Sequence, residues 1–172
     1  QRVVQAVEPF VNAGYPTDAA AVLIVELDGQ PSGVADEIRR IEELARAHGA
    51  RSVRVAAEEG ERERIWKGRK SAFGAIAVIK PDYYLNDTVI PRTKLAEVIE
   101  RIYEIVEEQD LIVMNVFHAG DGNLHPLLVF DAREAGVMER VLAAGEEIVR
   151  VSVAAGGVLS GEHGIGLEKK RF

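Results

Sequence analysis

An α+β fold, with helices packed on one face of a largely antiparallel sheet, is the class this sequence predicts. Three observations carry it. Short runs rich in Val and Ile alternate with amphipathic stretches of about 12–20 residues. Two of these runs flank Gly120-Asp121-Gly122-Asn123, the turn chemistry of a hairpin. The chain has 172 residues, 47% of them hydrophobic, which is room for one core and not for two full domains, so residues 1–172 are expected to form a single domain.

Val3, Val4, Val7 and Phe10 share a helical face directly after Gln1, with no start signal before them. After Pro16, the apolar run Ala19 to Leu27 ends at Asp28-Gly29 and predicts a buried strand closed by a turn. Val34, Ile38, Ile41, Leu44 and Ala45 recur at helical spacing, so Val34 to His48 is expected to be a helix stopped by Gly49, with His48 in a capping role. Ser52 to Ala56 is the next expected strand, and charged Glu58 to Arg64 opens a helix through Trp66 and Phe73. Gly74 to Val78 fits either state. Tyr83 to Ile90 predicts a strand stopped by Pro91, and Leu95, Val98, Ile99, Ile102 and Ile105 line one face of a helix over Thr93 to Glu108. Leu111 to Phe117 and Leu124 to Phe130 are the strands of the hairpin. Arg133 to Ala155 is a long helix ended by Gly156-Gly157, and Lys169 to Phe172 stop inside a charged helical run. Both ends are therefore expected to be cuts from a longer chain.

Composition excludes several classes. Lys and Arg number 21 against 28 Asp and Glu, and the resulting −7 argues against nucleic acid or an anionic membrane as partner, since both need a positive surface. The absence of cysteine removes disulfide frameworks, zinc fingers, iron–sulfur ligation and a thiol nucleophile, and points to the cytoplasm. No apolar run approaches the ~20 residues of a membrane span. An enzyme site here must use His, carboxylates, Lys, Arg and Gly.

Phe117-His118-Ala119-Gly120-Asp121-Gly122-Asn123-Leu124-His125 is the most informative stretch. If the turn sets His118 opposite His125, their Cβ atoms lie about 4.5–5.5 Å apart, from where two imidazoles can meet one metal at about 2.0–2.1 Å. Glu162, flanked by glycines in Ser160-Gly161-Glu162-His163-Gly164-Ile165-Gly166, offers a third ligand. A His₂Glu set leaves a coordination position open for substrate. Two histidines near a hairpin also occur simply as satisfied core or surface residues. Asp121 and Asn123 are expected to shape the turn rather than ligate. The glycines from Gly156 to Gly166 match neither a phosphate loop nor a dinucleotide loop nor a nucleophile elbow. Trp66-Lys67-Gly68-Arg69-Lys70-Ser71 gathers an aromatic and three cations in an otherwise acidic chain; it can hold a carboxylate through Arg69, or form a solvated helix face.

His118-Ala119-Gly120-Asp121-Gly122-Asn123-Leu124-His125-Pro126 and Gly156-Gly157-Val158-Leu159-Ser160-Gly161-Glu162-His163-Gly164-Ile165-Gly166, in this order and at this separation, resemble the C-terminal domain of FAD-linked oxidases of the vanillyl-alcohol oxidase type. That group holds glycolate oxidase FAD subunits, D-lactate dehydrogenases and D-2-hydroxyglutarate dehydrogenases. Ile65-Trp66-Lys67-Gly68-Arg69-Lys70-Ser71-Ala72 and Pro81-Asp82-Tyr83-Tyr84-Leu85-Asn86-Asp87 look most like the glycolate oxidase branch, so the resemblance covers roughly residues 18 to 172.

The resemblance implies a ferredoxin-like sheet, a divalent metal (Zn or Mn) on His118, His125 and Glu162, His163 as general base, and Arg69 as partner of the substrate carboxylate. An imidazole, with an ordinary pKa of ~6.5, suits that role at neutral pH. It also implies FAD, held mainly by an N-terminal flavin domain outside this sequence, without which the chain is not expected to turn over substrate. Other oxidase subunits or a second copy are implied partners, and any membrane association would run through those subunits. Where D-2-hydroxyglutarate dehydrogenases have a lysine, this chain has Leu85, which favours a small monocarboxylate such as glycolate or D-lactate. Two other readings follow from the residues: a non-catalytic carboxylate-binding or regulatory module on the same fold, and a metal-dependent hydrolase, weakened by the lack of nucleophile and leaving-group machinery.

Overall fold

The structure, a computed structural model, describes residues 1–172. In chain order the helices are α1 (Arg2–Val11), α2 (Pro31–Ala47), α3 (Glu59–Ile76), α4 (Leu95–Glu108) and α5 (Val137–Ala154). The strands are β1 (Asp82–Leu85), β2 (Thr88–Val89), β3 (Ile112–Asn115), β4 (Asn123–Leu124) and β5 (Pro126–Phe130). All strand pairs are antiparallel: β5 lies between β1 and β3, and β2 pairs with β4. From β1 the chain crosses over β5 through α4, returns as the hairpin β3–β5 and continues into α5. This is the β-α-β-β-α connectivity of a ferredoxin-like plait. Beyond α5, Val158 makes an antiparallel bridge to Val89.

The α+β class and the antiparallel sheet are as the sequence predicts; the placement of helices is not. Leu128 and Phe130 of β5 join Val113 in a core closed by α4 and α5, through Val98, Ile102, Val141 and Ile148. Leu127 and Val129 face the other way, joining Met114 in a second core closed by α1 and α3, through Val7, Val11, Ala72 and Ile76. Helices therefore cover both faces, not one. The cause is legible in β5 itself: Pro-Leu-Leu-Val-Phe has no polar alternation, every residue of it is buried, and such a run needs cover on both sides.

Two further expectations are corrected. Ala19 to Leu27 and Ser52 to Ala56, expected as strands, run outside the sheet, and no residue of either segment is buried. They are held to their surroundings by an Arg51–Asp18 ion pair, an Arg62–Glu26 pair and a bond from Arg54 to the Ala13 carbonyl at 2.7 Å, not by a strand neighbour. Val-rich composition favours an extended backbone, but a strand also requires an edge to pair with. Helix α2, between them, buries no residue fully. No helix is long and apolar enough to cross a membrane.

Tyr83 to Ile90 and Leu124 to Phe130, each expected as one strand, are each broken in two: β1 and β2 around Asn86-Asp87, β4 and β5 at His125. The register is the same on both sides of the gap, with Leu85 opposite Leu127 and Thr88 opposite Leu124, so Asp87 falls opposite His125. Pro126 is one reason for the gap. Its carbonyl accepts from the Asn86 amide at 3.1 Å, but proline has no N–H to return the bond.

Candidate functional site

Side chains alternate along a strand, so the face of each site residue follows from the register. Asn123 and His125 share a face with Leu127 and Val129, the face of α1 and α3, and Asp87 shares it by lying opposite His125. His118 pairs with Asn123 through backbone bonds of 3.0 and 3.2 Å, and not with His125. The two imidazoles nonetheless meet on that face as diagonal neighbours, their centroids 5.5 Å apart and their planes at 84°. Asn123 does not spend its side chain on the turn. Its amide crosses to Asp87 Oδ1 at 2.6 Å and to the Thr88 carbonyl at 3.2 Å.

Glu162 and His163 arrive on the segment after α5. Glu162 Oε1 lies 3.2 Å from His125 Nε2 and 3.3 Å from His118 Nε2, and the three candidate ligand atoms all lie within 4.8 Å of one another. Ligands around a tetrahedral Zn²⁺ at about 2.0–2.1 Å sit about 3.3–3.4 Å from each other, so the carboxylate is spaced from both imidazoles as one shared ion would require. Nitrogen and carboxylate donors are also the right chemistry for Zn or Mn. The His125 side chain is 4% exposed while those of His118 and Glu162 are 47% and 50% exposed, so the cluster has a buried wall and an open mouth. Burial, opposed by Glu162 and Asp87, holds the His125 imidazole below its ordinary pKa. It is neutral at pH 7, the form that ligates.

His163, expected as a base, is exposed and stacks on His125 with centroids 5.1 Å apart and planes at 10°. Arg69 comes from α3. Its guanidinium is half-buried and makes no ion pair; burial lowers its pKa, and the Glu162 carboxylate opposes that lowering. Neighbouring Gly68 places it: a Cβ there would come within 2.4 Å of the Tyr15 ring, so only glycine lets α3 approach this closely. Thus the structure brings His118, His125, Glu162 and His163 together, with Arg69 on the neighbouring α3 within range of the Glu162 charge.

Asp87, Ser160 and Lys169 are supporting residues that the sequence reading did not single out. Asp87 Oδ2 accepts from Ser160 Oγ at 2.6 Å and from the amides of Gly161, Glu162 and His163 at 3.0, 3.0 and 2.9 Å. Burial alone would push its carboxyl up; the bonds from Ser160, His163, Asn123 and Glu162 outweigh it and hold the group well below the usual carboxylate range. Lys169 Nζ donates to the Asp87 carbonyl and to that of Leu159 at 2.7 Å. The available signal was the pair Asn86-Asp87 inside an apolar strand, since buried polar groups must be satisfied.

Known proteins resemble this chain along its whole length. A family model described as "FAD linked oxidases, C-terminal domain" matches residues 1–172. The chain is 49% identical over 166 residues to glycolate oxidase subunit GlcD of Escherichia coli (strain K12), covering 96% of this chain and 33% of that one. It is 37% identical over 172 residues to the GlcD subunit of Bacillus subtilis (strain 168), covering 100% of this chain and 37% of the relative. With a probable mitochondrial D-lactate dehydrogenase of Danio rerio it shares 30% identity over 175 residues, 98% of this chain and 34% of the relative. The chain thus spans about a third of the length of these relatives. Since the family match runs the whole length of the chain, this chain belongs to the FAD-linked oxidases as a C-terminal domain of that family.

Proposed function

We propose that this domain binds the substrate and a divalent metal, Zn or Mn, in an FAD-dependent 2-hydroxyacid oxidoreductase of the glycolate oxidase or D-lactate dehydrogenase type. It would act with a flavin domain of the full-length protein, at a cytoplasmic site, with oxidase subunits or a second copy as further partners. The observation that carries this reading is Glu162 Oε1 held 3.2 and 3.3 Å from two imidazole nitrogens, with the unpaired Arg69 cation close by. The names of the relatives support the substrate class.

Arg69 takes the substrate carboxylate in a bidentate charge-assisted pair, which fixes the orientation of the 2-carbon. His163, exposed beside the cluster, accepts the hydroxyl proton on a ring nitrogen. The 2-hydroxy acid loses that proton and a hydride and leaves as the 2-oxo acid. A divalent ion on His118, His125 and Glu162 would lower the hydroxyl pKa, and FAD would take the hydride. Leu85, in β1 opposite Leu127, brings no charge for a second carboxylate and supports a small monocarboxylate.

The test uses the full-length protein, grown with added Zn and Mn and assayed with glycolate, D-lactate and a dye acceptor. Elemental analysis should find one divalent ion, lost in His118→Ala and in Glu162→Ala. A metal-free wild type that still turns over either substrate at full rate would sink the metal assignment. Equal turnover by Arg69→Ala would sink the anchor.

A further inference from the structure

We propose that Asp87 is the positioning residue of this site: its buried carboxylate, opposite His125 in the broken ladder, holds the Gly161–His163 backbone so that Glu162 and His163 reach the two histidines. The inference rests on the reading above for what the site binds, and on geometry for what Asp87 does.

Asp87 is 1% exposed and touches no open space where substrate could lie. Its two oxygens collect the amides of three consecutive residues, the Ser160 hydroxyl and the Asn123 amide. The amides of Gly161, Glu162 and His163 donate to Asp87 and to nothing else. Three converging N–H groups on one carboxylate fix the local φ and ψ. Those angles in turn set the directions of the Glu162 and His163 side chains. The close fit has no slack, because a Cβ on Gly161 would stand 2.6 Å from Asn123 Nδ2 and 2.7 Å from Val89 Cγ2.

The same carboxylate faces the other half of the cluster. His125 Nδ1 is buried and has no hydrogen-bond partner, and its nearest acidic atom is Asp87 Oδ1 at 3.9 Å. The ring makes its one hydrogen bond on the other side, Nε2 to Glu162 Oε1 at 3.2 Å, so Asp87 and Glu162 flank the imidazole on its two nitrogens. With an ion on Nε2 the ring proton would stand on Nδ1, toward Asp87, the side on which outer carboxylates orient ligating histidines. Asparagine cannot replace Asp87, because it offers one acceptor oxygen where two are used, and its NH₂ would confront N–H donors.

Two measurements on the full-length protein separate this inference from the functional reading. In metal-free protein, hydrogen exchange of the segment 159–164 should rise at least about tenfold in Asp87→Asn, as a buried anchor is lost. Ile102→Val, a core change on the opposite face of the sheet, should lower the melting temperature without altering exchange there. Unchanged exchange in Asp87→Asn overturns the positioning role whatever the site binds. In titrations with Zn²⁺ and with Co²⁺ alone, Asp87→Asn should weaken binding about 10–100-fold and alter the visible Co²⁺ spectrum. Ser160→Ala, which removes one donor and keeps the carboxylate should Asp87→Asn fail to fold, should weaken it about two- to tenfold. Wild-type affinity and spectrum in both variants, with Glu162→Gln binding lost, overturn the inference. Raised exchange with no ion bound by the wild type instead supports Asp87 and removes the metal assignment.

Discussion

Gly68→Ala separates the stability of the domain from the placement of Arg69, the proposed substrate anchor. The added Cβ would lie 2.4 Å from Tyr15 Cε2 and from its hydroxyl oxygen. Tyr15 cannot swing clear, since its ring is packed against the α1–α3 core and its hydroxyl is bonded to the Ile65 carbonyl. Restoring an ordinary contact of about 3.4 Å requires α3 to retreat by about 1 Å at the residue next to Arg69. Overpacking of this kind costs about 1–3 kcal/mol, while alanine in a helix interior returns about 1 kcal/mol relative to glycine. The net loss of about 0–2 kcal/mol leaves the fold intact. An anchor displaced by about 1 Å, however, loses near-attack geometry worth up to about a hundredfold in rate. Urea unfolding should therefore show a small change, while kcat/KM for glycolate or D-lactate in the full-length protein falls about 10–100-fold. Arg69→Ala sets the limit, because loss of a charge-assisted pair at about 1.5–3 kcal/mol corresponds to about 10–150-fold. If Gly68→Ala keeps kcat/KM within twofold while Arg69→Ala loses it, the packing of α3 against Tyr15 does not place the anchor.

Leu128→Ala, at the centre of β5 and 0% exposed, should cost about 2–5 kcal/mol by denaturant unfolding. Leu23→Ser should change stability by no more than about 0.5 kcal/mol, because Leu23 is 73% exposed; a loss above about 2 kcal/mol would restore the buried strand that its sequence suggests. Both His125 and Asp87 are held below their ordinary pKa values, so each contributes stability that is present above its unfolded value and is lost on acidification. In metal-free protein the urea midpoint should therefore fall from about pH 6.5 downward, and again more steeply below about pH 4. Asp87→Asn should flatten the second fall only; a parallel curve in that variant would contradict the assignment.

The helices were legible because α4 and α5 bury one stripe each, which is what a 3.6-residue period records. The histidines and Glu162 were legible through spacing and glycine neighbours. The two-faced cover of β5 was present in its unbroken apolar run, although the hairpin pattern suggested a half-exposed sheet. The absence of pairing at Ala19 to Leu27 could not be read locally, since propensity describes a segment and pairing depends on what lies beside it. Asp87 is separated from Ser160 by 73 positions and from His163 by 76, and Lys169 reaches back 82 to the Asp87 carbonyl. No periodicity reports contacts at that range.

The gap in the ladder and the site are one feature. In an antiparallel strand the N–H and C=O of one residue point to the same side, and successive residues alternate sides. Asn86 turns its amide to β5, so the Asp87 carbonyl points away from β5, to the outer edge of β1 and β2. Val89 meets Val158 on that edge two residues later, through bonds of 3.2 and 2.8 Å. At Asp87 the carbonyl on this edge accepts from the Lys169 ammonium, whose pKa burial lowers against the charges of Asp87 and Glu168. That ammonium also holds the Leu159 carbonyl, and so keeps the segment before Glu162 at the sheet edge. A regular strand paired with Asp87 on this edge would leave no loop at this point to carry Glu162 and His163 to the histidines. Lys169 therefore belongs to the support of the site, keeping the loop that carries Glu162 and His163 against the hairpin that carries His118 and His125.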